Sequence, residues 1–236
     1  MFPEKITISG REVPLHVRRS KRAKTIQLRI CPKEPAVILV YPFRASIKRA
    51  KAFLESKETW VAQHVAALPQ RLPFVHGQVV PVLGKPLTIQ HIPQTRGVAH
   101  IQENQLIIPC LEEFLARRVD DFLVKILRKE AEQLANKKSR QLGVVYQKIT
   151  IRDMASRWGS CSAEGNLNFS KSLVFAPYEV LDYLVAHEVV HLKEMNHSRR
   201  FWKLVEILCP GYKEHRLWLK QYGDTLHRYG GKNCSV

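Results

Sequence analysis

The segment from Tyr178 to Leu192 constrains this chain more than any other. It reads Tyr-Glu-Val-Leu-Asp-Tyr-Leu-Val-Ala-His-Glu-Val-Val-His-Leu, with neither Gly nor Pro inside it. A helix apolar on nearly all sides is a buried one, and Pro177 suits the first turn. A buried helix that carries His187, Glu188 and His191 needs a reason, because unpartnered imidazoles and carboxyls are costly to bury. Residues four apart share a helix face, so His187 and His191 aim at one point, with Glu188 beside the first. This H-E-x-x-H pattern lets two imidazoles hold a metal ion while the Glu acts as general base.

A catalytic site of this kind takes a third protein ligand. His197 is ten residues beyond His187, and on a continuing helix it points roughly 100° away from the two-His face. The chain must therefore turn between Leu192 and His197. Asn196 is the residue expected to take a left-handed conformation there. Ser198 is expected to cap a second helix, Arg199 to Leu208. Glu194, Glu206 and Glu214 stand as rival third ligands.

The loop before this helix, Ser156-Arg-Trp-Gly-Ser-Cys161, is compact and polar around one Trp. Gly159 permits a tight turn that brings main-chain N–H groups to a site. Arg157 suits a carboxylate or phosphate, and Ser160 offers a hydrogen bond. The strand carrying Asn166 is a candidate edge for an extended substrate. Arg157, Trp158, Ser160 and Asn166 are thus the candidate substrate-binding residues. The competing reading makes Trp158 a core plug with a turn around it. A Cys161–His nucleophile is the rival chemistry, with only Arg157 nearby to lower the thiol.

The rest of the chain predicts an α+β fold. Lys5–Ile8, Val13–Val17, Thr25–Ile30 and Ala36–Tyr41 read as strands, and Ile47 to about Leu68 as one helix. A hairpin is expected around Gly84-Lys85, and two short strands flank Glu103-Asn104. Leu111 to Leu142 reads as a long helix ended by Gly143, followed by strands Gln147–Arg152 and Gly165–Ser170. This divides the chain into a basic, β-rich region, 1–109, and a catalytic region, 110–236, as two regions or as one continuous domain.

Charge is unevenly spread along the chain. The net charge is +17, with about +14 on the first 150 residues, which suggests an anionic partner such as nucleic acid, or a solvated basic face. The clusters include Arg18-Arg19-Ser-Lys21-Arg22-Ala-Lys24 and Lys48-Arg49-Ala-Lys51. No stretch approaches a membrane span and the N-terminus lacks a signal core. Five cysteines without a C-x-x-C pair argue for reduced thiols in a cytoplasm.

Arg152-Asp-Met-Ala-Ser-Arg-Trp-Gly-Ser-Cys161, Pro177, Tyr183, His187-Glu-Val-Val-His191, Asn196-His-Ser198 and Phe201-Trp202 together resemble the YgjP-like metallopeptidase family. That family is similar in its core to the SprT and WLM proteases. The resemblance implies a zincin-like catalytic half, one zinc ion on His187, His191 and His197, and Glu188 as catalytic base. It implies a metallopeptidase-like hydrolase, with a UTP pyrophosphatase assignment attached to one branch. A nucleic-acid-binding protein with a structural metal is the third reading. The all-His ligand set with an adjacent Glu speaks against it, since structural zinc sites favour Cys.

Overall fold

The structure is a computed structural model, and it describes residues 2–8, 10–31, 36–66, 71–93, 97–154 and 157–230. The chain forms two compact units, residues 1–70 and 71–236.

The first unit is a four-stranded sheet with two helices. Its strands are β1 (Lys5–Ile8), β2 (Arg11–Ser20), β3 (Gln27–Ile30) and β4 (Val37–Pro42), in the order β1-β2-β4-β3. β1 and β2 form a hairpin, with Ile8 opposite Arg11 across a left-handed Gly10. β2 and β4 run parallel, and β3 returns antiparallel to β4. Every second residue of β4 is buried, Val37, Leu39 and Tyr41, which is the period of a sheet with one packed face. Those side chains meet Ala50 of α1 (Ile47–Glu55) and Val61 of α2 (Glu58–Ala66). The sequence predicts one helix from Ile47 to Leu68. Instead the Ser56 hydroxyl donates to the Phe53 carbonyl and the helix is interrupted there, the local competition for backbone groups that serine offers. Leu68 is outside the described residues.

The second unit holds two sheets and the remaining helices around one core. β5 (Val79–Val82), β6 (Lys85–Ile92), β7 (His100–Gln102) and β8 (Gln105–Pro109) make one sheet, ordered β5-β6-β8-β7. The expected hairpin is present, but its turn residues are Leu83 and Gly84, both left-handed. Leu83 accepts that conformation because its N–H is held by the Val174 carbonyl at 2.7 Å. The long helix, α3 (Leu115–Leu142), begins after a short 3-10 turn, Glu112–Phe114, and ends at Gly143, left-handed at φ 68°. Its packed stripe includes Leu115, Leu123, Leu127 and Leu134.

β9 (Lys148–Arg152), β10 (Gly159–Cys161) and β11 (Asn166–Ser170) form the second sheet, ordered β10-β11-β9. α4 (Tyr178–Val190), α5 (Arg199–Leu208) and α6 (Tyr212–Tyr222) follow. α4 packs against α3, α5, α6 and β10, so it is the axis of the unit. The junction expected at Pro109 falls inside this unit, because Val80, Leu87, Ile89, Leu106 and Ile108 share one core with α3 and α4. No helix among the described residues is long and apolar enough to cross a membrane. Cys31, Cys110, Cys161 and Cys209 are free thiols, and Cys234 lies outside the described residues.

Candidate metal centre

α4 ends where the metal pattern needs it to end. Pro177, extended at φ −54° and ψ 148°, precedes its first residue. His187 lies in its last turn and His191 is its C-cap, so the two rings rise from one face at the exit of a buried helix. The chain then reverses. Asn196 does not adopt the expected left-handed conformation. Its side-chain carbonyl accepts from the Ser198 N–H at 3.1 Å, and this turn redirects the chain with ordinary backbone angles. Ser198 caps α5 by accepting from the Phe201 N–H. His197 is thereby held one residue before a capped helix and faces back toward α4.

The three rings converge. His187 Nε2 lies 3.2 Å from His191 Nε2 and 3.1 Å from His197 Nε2. One ligand nitrogen from each of the three lies within 4.8 Å of the others. Tetrahedral zinc with nitrogen ligands at about 2.0–2.1 Å sets those nitrogens about 3.3 Å apart, so the spacing fits a single ion. His191 Nδ1 donates to the Glu194 carbonyl at 3.0 Å. A neutral His191 then presents only a lone pair at Nε2, which is the tautomer a metal requires. Phe201 backs the cluster, its ring centroid 4.6–4.9 Å from all three imidazoles.

The electrostatics agree with a ligand role. Burial, then the nearby His191, His197 and Arg216, push His187 down to about 3. Burial chiefly lowers His191 as well. Both rings are therefore neutral at ordinary pH, with lone pairs available. Glu188 is 3% exposed. Burial pushes its carboxyl up to about 8, with the Arg157 guanidinium opposing the shift. Its Oε2 and the Nδ1 of His187 are buried without a hydrogen-bond partner among the described residues. An orphaned carboxyl oxygen on the residue that follows His187, in a chain whose three imidazoles converge, is what a cation and its water would satisfy. The donor set fits a divalent metal of the zinc kind.

β10 lies across Glu188. A Cβ built on Gly159 would meet Glu188 Oε1 at 2.5 Å. Gly159 is thus present for close approach, in a strand, and not for the tight turn expected of it. The rival ligands have other places. Glu194 pairs with Arg200 at 2.9 Å, and among the described residues neither Glu206 nor Glu214 joins the cluster. The Cys161 thiol is pushed up to about 11 by burial and by Glu188, so it is no thiolate nucleophile.

The other expected residues are dispersed around this strand. Arg157 is exposed near Glu188. Trp158 stacks on His227 at 4.9 Å and is packed tightly on Gly223, so its indole serves the core. Ser160 Oγ accepts from Asn168, its partner across β11. The Asn166 amide donates to Ser162 and fixes the turn between β10 and β11. β11 is paired on both sides, so it offers no free edge; within this sheet the edges belong to β10 and β9.

Three further residues surround the cluster without a role predicted from their spacing. Trp202 stacks between His197 and Tyr212, at 5.7 and 5.3 Å. Arg216 lies over Trp202 at 4.5 Å. Tyr183 sets its ring edge to His187 at 6.0 Å, its phenol pushed up to about 12 by burial. Tyr183 is four residues before His187, a helical spacing legible in advance; Arg216 sits on another helix and leaves no local signal.

A family model described as YgjP-like, metallopeptidase domain, matches residues 24–222. No curated protein matches the chain. Among solved structures, the chain is similar to the metallopeptidase zymogen abylysin of Pyrococcus abyssi, at 28% identity over 38% of this chain and 93% of that one, with a TM-score of 0.35. It is also similar to the metallopeptidase zymogen jannalysin of Methanocaldococcus jannaschii, at 23% identity over 39% and 94%, with a TM-score of 0.35.

Proposed function

The chain belongs to the YgjP-like metallopeptidase family, and on that premise we propose that it hydrolyses peptide bonds at the His187–His191–His197 centre, with Glu188 as general base. The observation that carries this reading is the meeting of three imidazoles, with the Nε2 atoms of His191 and His197 3.2 and 3.1 Å from that of His187, on a helix whose next residue after His187 is the buried Glu188. His187, His191 and His197 would hold the ion. When bound there, a divalent cation polarises a water and a substrate carbonyl and favours the ionised form of the neighbouring carboxyl. Glu188 takes the proton from the attacking water and passes it to the leaving amine, so one O–H and one C–N bond break as the C–O and N–H bonds form. Its burial keeps bulk water from competing for that proton. Gly159 holds β10 against the carboxyl, and β10, an edge of its sheet among the described residues, suits an extended peptide joining by main-chain hydrogen bonds. Arg157, exposed just before β10, would take a substrate carboxylate or carbonyl.

The test incubates the zinc-loaded protein with casein and with UTP, each with and without chelator. Casein is expected to be cleaved only in the metal-loaded sample, and UTP to remain intact. Chelator-sensitive release of pyrophosphate from UTP with casein untouched would overturn the peptide reading.

A further inference from the structure

The first unit contains a basic cleft that the hydrolytic centre does not use. Its position follows from strand direction. β2 and β4 are parallel, with Ser20 paired to Pro42, so their C-terminal ends lie side by side. The segment after β2 and the segment after β4 are therefore brought together, and β3 begins at the same end. Both segments are basic. Lys21, Arg22 and Lys24 follow β2, Arg44 follows β4, and Arg49 extends the wall along α1. Ser20 Oγ accepts from the Arg22 and Ala23 N–H groups, which orders the first segment.

Three properties narrow the occupant. The lining contains no Asp or Glu, and among the described residues no ion pair engages any of the five cations, though Lys21 Nζ lies 5.8 Å over the Phe43 ring. The volume, about 1150 Å³, leaves room for more than one nucleotide, since a single small molecule takes roughly 300–1,000 Å³. Phe43 stands at the cleft, 48% exposed. The Arg19 guanidinium braces it, 4.4 Å over the ring and donating to the Phe43 carbonyl at 2.6 Å. A positive groove interleaved with an exposed aromatic ring is the chemistry that tracks a phosphate backbone and stacks a base. A duplex hides its base faces, and a membrane surface does not need a concave receptor.

We propose that this cleft binds single-stranded nucleic acid, with Lys21, Arg22, Lys24, Arg44 and Arg49 on the phosphates and Phe43 stacked on a base. The inference does not rest on the peptidase reading, and its test is run with chelator present so that the two fail separately.

Fluorescence anisotropy of the whole 236-residue chain would be read with labelled oligo-dT and oligo-U of roughly a dozen nucleotides, a length on the scale of single-strand sites. A duplex of matched length and phosphatidylserine vesicles serve as competitors. Either single strand is expected to bind, and both competitors to displace it poorly. Replacing all five cations with Ala should weaken binding at least about tenfold, and the slope of log K against log salt should fall by about 0.7 for each phosphate that is no longer neutralised. Phe43→Ala should weaken binding several-fold while leaving that slope unchanged. Lys213→Ala with Lys220→Ala, on α6, should change binding by less than about twofold. The five side chains are exposed, and Arg22→Glu alone, with an unchanged melting curve, guards against an unfolded variant. Failure to bind either strand, displacement by duplex or vesicles as readily as by a single strand, or an equal loss in the α6 variant would overturn the assignment.

Discussion

Glu188 and Gly159 form one unit of chemistry at the scale of single residues. The carboxyl is buried and pushed up to about 8, and the strand that covers it can approach only because position 159 lacks a side chain. Glu188→Gln keeps the shape of that contact and removes the base. It should bind metal as the parent does and lose casein hydrolysis by about 10²–10⁴-fold, the contribution usual for a positioned acid–base group. Metal analysis alongside turnover checks both halves, and full activity in that protein would refute the assignment of the base. Gly159→Ala places a methyl group 2.5 Å from Glu188 Oε1. It should cost about 1–3 kcal/mol of stability through overpacking and depress turnover while metal content holds. Denaturant titration and metal analysis separate those effects.

At the scale of elements, the site depends on where helices stop. α5 is positioned by the Ser198 cap, one residue from His197. Ser198→Ala should cost about 1 kcal/mol and loosen metal binding, as read from zinc competition with a chromophoric chelator. α3 is tied to both neighbours by Lys138, which is 4% exposed, reaches Asp182 on α4 at 2.8 Å, and donates to the carbonyl of Leu208 at the end of α5 at 2.9 Å. Lys138→Ala strands both partners and should cost about 3 kcal/mol in denaturant unfolding. The sequence foretells α4 and α5 closely, since an unbroken apolar run and a Ser cap are local signals. It also foretells that His187 and His191 share a face, since their spacing is a property of the chain alone, whereas the approach of His197 depends on the turn that Asn196 and Ser198 make. β10 was not legible. Three residues, Gly-Ser-Cys, are too few to show a period of two, and the strand exists because β11 and Glu188 lie beside it. The break at Ser56 and the left-handed Leu83 were hidden for the same reason: a partner elsewhere, in one case a carbonyl three residues back and in the other Val174, decides them.

At the scale of the whole molecule, the chain carries two separate hydrophobic interiors, one for residues 1–70 and one for 71–236. Chains of more than one unit depart from all-or-none unfolding, so calorimetry should resolve two transitions. A ligand that binds only the folded state stabilises by RT ln(1 + [L]/Kd). Zinc should therefore raise one transition and chelator lower it, while the other stays in place; two transitions shifting together would mean that the interiors melt as one. Strand polarity explains how the smaller interior acquires a use of its own. Because β2 and β4 point the same way, two basic segments distant in sequence finish as neighbours. The matched family pattern runs from residue 24 to 222, straight across the boundary at position 70, so the two interiors are inherited together as parts of one chain.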